Sequence, residues 1–376
     1  MSEQSSPERL RSAKPRVAVV FGGRSSEHGV SCVTAGSVLA AIDRERYDVV
    51  AVGIATDGRW VLEADDAERL AISGSELPRV DQSAALVALT NRELTVFDAG
   101  DVPRALGQVD VVFPLLHGPW GEDGTVQGLL ETAGVRYVGA GVLASAVGMD
   151  KHFMKLVFQA FGLPVTPYAV FSAAQWANDA ALCQETTAAL GYPVFVKPAR
   201  GGSSFGISKV AAADDLADAI AEAQRFDPKV IVEACAAGAR EVECGVLQSM
   251  HDGRAEASVV AEIKVGAGHE FYDFAAKYLP EEATQLDVPA DLPGDVAEQV
   301  QALAVRAFEA IGCEGFARVD FFVLPDRSVV INEINTIPGF TPTSMFPLMW
   351  AASGLDYPAL VDRLLGLAMQ RPLGLR

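Results

Sequence analysis

Cysteine is scarce and scattered. Cys32, Cys183, Cys235, Cys244 and Cys313 are odd in number and form no C-x-x-C pair. That pattern argues against a sulfur-ligated zinc site or a disulfide framework and reads as free thiols buried in a reducing compartment. Long uncharged apolar runs are lacking too, so no segment reads as a membrane span. The opening "MSEQSSPERLRSAKP" has no apolar core. It does not read as a signal peptide, and residues 1–15 are expected to be a disordered tail on a cytoplasmic protein. Positive charge is in deficit, with 30 Lys and Arg against 49 Asp and Glu, a net −19. This balance speaks against non-specific binding to nucleic acid or an anionic membrane, and an anionic substrate would need Lys and Arg focused locally. The chain has no G-x-x-x-x-G-K-[ST] phosphate loop, no internal repeat and no low-complexity segment.

What is there has the texture of a soluble α/β protein. At 376 residues, half of them hydrophobic, the chain is long enough for two or three cores. Strand-like and helix-like runs alternate through the first 140 residues. "RVAVVFGG" (16–23), "YDVVAVGIA" and "VDVVFPLLHG" read as buried strands; Glu27 to Ile42 and "GTVQGLLETAGV", ending at Gly134, read as helices. This alternation predicts a parallel sheet flanked by helices. Residues 61–105 follow no clear period. After the helix "DKHFMKLVFQAFGLP", "YPVFVKPA" and "ISKV" read as two strands around the loop "RGGSSFG", and "KVIVEACAAGAREVECGVL" as two more around a turn. "GFARVDFFVL" and "SVVINEINT" form a predicted antiparallel hairpin through Pro325-Asp326.

That hairpin carries the first chemical signal. Arg318 and Asp320 share one strand face, as Glu333 and Asn335 do on the partner strand. If the faces coincide, three oxygen donors and a guanidinium converge over a sheet. Oxygen donors of this kind suit Mg²⁺, and Arg318 could neutralise a developing oxyanion. A plain Arg–Asp salt bridge on a solvated face is the competing reading. The glycine run 201–206 follows a strand directly, with Ser203 and Ser204 as hydroxyl donors and Lys197 at the strand's end, so a phosphate cradle and a flexible hairpin loop both fit.

Three further stretches stay ambiguous when read singly. "HGPWGEDG" (117–124) and "GGRSSEHGVS" (22–31) lie at the carboxyl ends of strands, where parallel sheets bind ligands. His117 and Glu27 are their candidate contacts, while Glu122 and Asp123 read as caps of the next helix. "GAGHEFYDFAAKYLPEE" (266–282) reads as a long loop suited to a lid, with Lys277 and Tyr278 its most reactive members. Gly139-x-Gly141-x-x-Ala144 has the outline of a dinucleotide fingerprint but lacks the acid expected about 20 residues on, so tight packing at a helix start explains it.

Together, in order, these pieces resemble the ATP-grasp ligases, and within them the D-alanine–D-alanine ligase family. The resemblance runs from about residue 16 to 350 and is carried by "HGPWGEDG", "VFVKPARGGSSFGISKV", "FYDFAAKY", "GFARVDFF" and "NEINTIPGFTPTSMFP". It implies an N-terminal parallel-sheet, substrate-binding domain (16–140) followed by a two-part ATP-grasp fold. The two parts are a central subdomain with the glycine loop (141–240) and a C-terminal one with lid and metal site (241–376). It implies ATP as co-substrate, two D-alanines as substrates and two Mg²⁺ ions, with Mn²⁺ able to substitute. No nucleic-acid or membrane partner is implied, and a homodimer is.

Position by position, the resemblance assigns Lys151, Lys197, Ser204, Glu233, Cys235, Ala236, Glu241, Lys277, Asn332 and Glu333 to ATP. Asp320, Glu333 and Asn335 are assigned to metal. Glu27 would meet the first substrate's ammonium group and Ser344 the second's carboxylate, with His117 nearby. Arg318 and the N–H of Gly339 would hold the oxyanion, and Glu27, Ser203 and Tyr278 would tie the lid shut. Gly201, where some relatives carry Glu, is a small departure. Rival readings are a D-lactate or other D-amino-acid ligase, or a nucleotide-binding regulatory protein without catalysis.

Overall fold

The computed structural model describes residues 14–373 apart from Ser75, Ala99, Ser203, Ser204 and residues 266–283. The expected lid, with Lys277 and Tyr278, and most of the expected tail lie outside the described residues. Seventeen strands among the described residues form three sheets.

The first sheet contains β1 (Arg16–Gly22), β2 (Asp48–Ile54), β3 (Trp60–Leu62), β4 (Leu86–Thr90), β5 (Glu93–Phe97), β6 (Arg104–Gln108), β7 (Val111–Pro114) and β8 (Arg136–Tyr137), in the order β6-β5-β4-β3-β2-β1-β7-β8. β2, β1, β7 and β8 pair in parallel. The central strands β1 and β7 are apolar runs because both faces are covered, and every residue of β1 after Arg16 is buried. The expected parallel pairing is present, and the stretch without a clear period in the sequence supplies the other half of the sheet. Residues 61–105 extend the sheet with antiparallel strands β3 to β6. Their short, half-exposed sequences give no periodic signal.

The second sheet joins β9 (Tyr168–Ser172), β10 (Val194–Pro198), β11 (Ser208–Val210) and β12 (Lys229–Ala234) in the order β11-β10-β12-β9. The third joins β13 (Arg240–Gln248), β14 (Ala255–Val265), β15 (Thr284–Asp287), β16 (Phe316–Val323) and β17 (Val329–Asn335) in the order β15-β14-β13-β16-β17. β12 and β13, expected around a simple turn, belong to different sheets, so residues 235–239 cross from one to the other. The β16–β17 hairpin forms as expected, in a register that sets Arg318 opposite Asn335 and Asp320 opposite Glu333. In β16, Ala317, Val319 and Phe321 are buried beneath the sheet while Arg318 and Asp320 face out of it.

Four helices matter for the site: α1 (His28–Ala41), α2 (Thr125–Thr132), α3 (Val142–Met149) and α4 (Lys151–Ala160). α1 packs Cys32, Ala35, Val38 and Leu39 on one face of the first sheet, in a core shared with Phe340, Phe346, Leu360 and Leu364. The amino-terminal sheet is thereby fixed to the carboxyl-terminal helices. The third sheet buries Val242, Val246 and Val319 against the helix Gly294–Ala310. The fingerprint-like glycines serve packing: Gly139 has φ +97° and abuts Gly315, and Gly141 is the N-cap of α3.

Candidate active site

A cavity of about 490 Å³ lies where the three sheets meet. The second sheet supplies Lys197 and Glu233, the third Glu241, Arg318, Asp320 and Glu333, and loops of the first Glu27 and His117. Lys151, the first residue of α4, enters between them.

The outward face of the β16–β17 hairpin is charged and half-sealed. The Arg318 guanidinium binds Asp320 through two bonds, Nε to Oδ1 at 2.7 Å and Nη2 to Oδ2 at 2.8 Å, and its Nε lies 3.1 Å from Glu243 on β13. The alternative Arg–Asp salt bridge is therefore present, yet it lies half-buried in the cavity wall and not on an open sheet face. Burial opposes the Arg318 charge, but Asp320 and Glu243 outweigh it and raise its pKa further. Across the register, Glu333 pairs with Lys151 Nζ at 2.8 Å, and Lys151 also donates to the Gly201 carbonyl. Burial pulls the Lys151 ammonium down, and the Glu333 charge reverses that, so it stays a cation.

Glu233, next to last in β12, has its carboxylate gripped on both sides, Oε1 2.6 Å from Lys155 and Oε2 2.7 Å from Lys197. Desolvation would favour the neutral acid, but the two ammonium groups hold it ionised far below the usual carboxylate range. Cys235 and Ala236 follow on the crossing segment and line the cavity.

At the other end, His117 is buried. Its Nδ1 donates to the Ile337 carbonyl at 3.1 Å, and Nε2 has no partner among the described residues. Glu122 corrects the expectation of a helix cap: its Oε1 accepts from the Gly118 N–H at 2.9 Å and sits 3.5 Å from His117. Only Asp123 turns to α2, accepting from the Thr125 N–H. Glu27 occupies the N-cap position of α1 without capping it, and its Oε2 lies against Gly118. The carboxylate is thus aimed at the cavity and not at the helix it precedes.

The donor chemistry bears on a metal. Asp320, Glu333 and Asn335 offer two carboxylates and an amide from facing strands, without nitrogen or sulfur ligands. An all-oxygen donor set of this kind fits a hard divalent cation that takes its remaining ligands from substrate phosphate and water.

Residues 16–140 match the family model described as D-ala D-ala ligase N-terminus, and residues 157–366 the one described as D-ala D-ala ligase C-terminus. The chain belongs to the D-alanine–D-alanine ligase family. It is 56% identical over 369 residues to the D-alanine–D-alanine ligase of Arthrobacter sp. (strain FB24), spanning 97% of this chain and 96% of that one. The solved D-alanine-D-alanine ligase of Coxiella burnetii is 34% identical with a TM-score of 0.78, covering 95% of this chain and 94% of that one. The VanG D-Ala:D-Ser ligase of Enterococcus faecalis is 34% identical with a TM-score of 0.81, covering 95% and 100%. As a D-alanine–D-alanine ligase family member, the chain is a ligase that joins two D-alanines for peptidoglycan precursor synthesis.

Of the residues expected from the ligase motifs, Glu27, His117, Lys151, Lys197, Glu233, Cys235, Ala236, Glu241, Arg318, Asp320, Asn332, Glu333, Asn335 and Gly339 line this one cavity. Ser344 does not. It precedes the helix Met345–Ala352 and accepts from the Thr341 N–H at 3.1 Å. Ser203, Ser204, Lys277 and Tyr278 lie outside the described residues. Sequence reasoning missed Lys155, Thr166 and Glu243. Lys155 could have been found, since it sits four residues after Lys151 on the same helix face; Glu243 needed the β13–β16 register.

Proposed function

We propose that the cavity activates one D-alanine as an acyl phosphate and delivers the amine of a second to it. The units 16–140, 141–240 and 241–376 would form one cytoplasmic protomer of a homodimer. Joining a carboxylate to an amine in water is uphill, so the first D-alanine carboxylate attacks the γ-phosphate of ATP, giving D-alanyl phosphate and ADP. Lys151, Lys197 and Lys277 bind and orient the nucleotide phosphates, with Glu233 and the backbone of Cys235 and Ala236 on the base and Glu241 on the sugar. Asp320, Glu333 and Asn335 would hold Mg²⁺, which supplies neutralisation of phosphate charge when bound. Glu27 meets the ammonium group of the first D-alanine.

The free amine of the second D-alanine, its carboxylate near Ser344, then attacks the acyl carbon. Arg318 and the Gly339 N–H carry the oxyanion of the tetrahedral intermediate, which collapses with loss of phosphate and a proton to the dipeptide. Ser203, Tyr278 and Glu27 would together keep out water that hydrolyses the acyl phosphate.

What supports this reading is the convergence of Arg318, Asp320, Glu333 and Lys151 on one half-buried face that lines the same cavity as the amino-terminal loops. The test is product analysis with ATP, Mg²⁺ and D-alanine, alone and with D-serine or D-lactate. ADP and D-alanyl-D-alanine as the sole dipeptide is the expected result, with turnover falling about 100-fold in Glu333→Gln. A mixed product from D-serine or D-lactate would keep the chemistry and overturn the choice of second substrate. Nucleotide binding without turnover would overturn the mechanism.

A further inference from the structure

Behind the cavity, α4 carries a second lysine that does not line it. Lys155 is fully buried, one turn after Lys151. A lysine in that position is expensive unless its charge is matched. Its Nζ lies 2.6 Å from Glu233 Oε1, donates to Thr166 Oγ1 at 3.0 Å and stands 5.8 Å from the centre of the Tyr168 ring. The other oxygen of Glu233 is 2.7 Å from Lys197 Nζ. Lys197 lines the cavity and Lys155 does not. One buried carboxylate therefore holds two ammonium groups, one open to substrate and one sealed from it.

We infer that Lys155 is a positioning residue that keeps Glu233 paired when Lys197 leaves that carboxylate for a nucleotide phosphate. The inference rests on the reading of Lys197 as a phosphate contact, and it supplies what that reading lacks. In the structure Lys197 is engaged by Glu233, so a phosphate must draw it away. Leaving a buried carboxylate with no cation is far costlier than exchanging one partner for another. With Lys155 and the Thr166 hydroxyl on Oε1, Glu233 stays compensated after Lys197 moves. The group Lys155–Glu233–Lys197 carries a surplus positive charge. Without Lys155 it would be neutral, and Lys197 would be the only cation left on Glu233.

The test compares dissociation constants for ADP and for adenosine in the wild type, Lys155→Met and Lys197→Met. Adenosine has no phosphate and makes no claim on Lys197, so it reports disturbance of the base pocket, including through Glu233, apart from any effect on the phosphate contact. The expected result is an ADP affinity about tenfold weaker in Lys155→Met, with adenosine, which meets Glu233 but not Lys197, weakened by a clearly smaller factor. ADP affinity equal to the wild type in Lys155→Met, or loss for ADP and adenosine by the same factor, overturns the inference. If Lys197→Met also binds ADP like the wild type, the reading of Lys197 itself has failed. Should Lys155→Met not fold, Thr166→Val keeps the shape and removes only the hydroxyl that aims Lys155. It is expected to weaken ADP selectively in the same direction, and unchanged ADP binding there overturns the inference equally.

Discussion

At Gly118 the backbone passes so close to Glu27 that a side chain there would have to push the carboxylate aside. The residue has φ +73°, and a Cβ there would stand 2.5 Å from Glu27 Oε2. The carboxylate proposed to meet the substrate ammonium is thus positioned by a neighbour with no side chain. Gly118→Ala imposes left-handed strain of about 1–2 kcal/mol and pushes Glu27 off its aim. The expected outcome is a D-alanine KM raised about tenfold, equivalent to about 1.4 kcal/mol, with ADP affinity unchanged. Steady-state kinetics at saturating ATP check this, and an unaltered KM in a folded variant would remove Glu27 from substrate binding. The same economy of space marks the charges. Asp320 is paired with Arg318 and Glu333 with Lys151, because a carboxylate drawn partly out of water is costly without a cation beside it. Phosphate and metal would therefore exchange partners within a balanced set.

Among the elements, α4 links stability to chemistry most directly. Asp150 caps it, Oδ1 accepting from the N–H groups of His152 at 3.1 Å and Phe153 at 3.3 Å, while Oδ2 pairs with Lys229 on β12. The cap thus fixes the helix start to the second sheet, and Lys151 is the next residue. Asp150→Ala should cost about 1–2 kcal/mol in urea unfolding and raise the ADP dissociation constant by loosening Lys151. Asp150→Asn, which can still cap but not pair with Lys229, should lose less than the alanine variant. Equal losses would show that the ion pair and not the cap carries the effect.

The elements also divide by what a sequence can reveal. The β16–β17 hairpin was legible because its alternation writes Arg318 and Asp320 on one face and Val319 and Phe321 on the other. Strands β1 and β7 were legible as apolar runs, and α4 by its Gly162 stop. Strands β3 to β6 were not, since short half-exposed strands held by neighbours leave no period to read. Nor was the passage of residues 235–239 between sheets, because a turn within a hairpin and a crossing between sheets share the same local chemistry. Glu122 misled for a related reason: an acid just before a helix usually caps it, and only the fold shows that Gly118 and His117 claim this one.

For the whole molecule, the cavity exists only while the first sheet stays docked on the third. Tyr47 donates to Asp362, and Arg136 to the Arg371 carbonyl. At the cavity itself the tie is His117, reaching from the loop after β7 to the Ile337 carbonyl beyond β17. Burial lowers the pKa of this imidazole, but the hydrogen bond and charge of Glu122, the charge of Glu27 and the Ile337 carbonyl together raise it above 6.5. A group whose folded pKa exceeds its unfolded one stabilises the fold fully below the unfolded value. That contribution is lost as pH climbs through the folded value. The stability difference between the wild type and His117→Gln, which can bond Ile337 but cannot take the charge, should therefore be largest below pH 6.5. It should shrink at higher pH, by no more than about 1.4 kcal/mol per pH unit. Urea unfolding of both proteins from pH 5.5 to 9 measures it. A difference that is flat or grows with pH would mean that His117 is neutral in the folded protein and that Glu122 serves Gly118 alone.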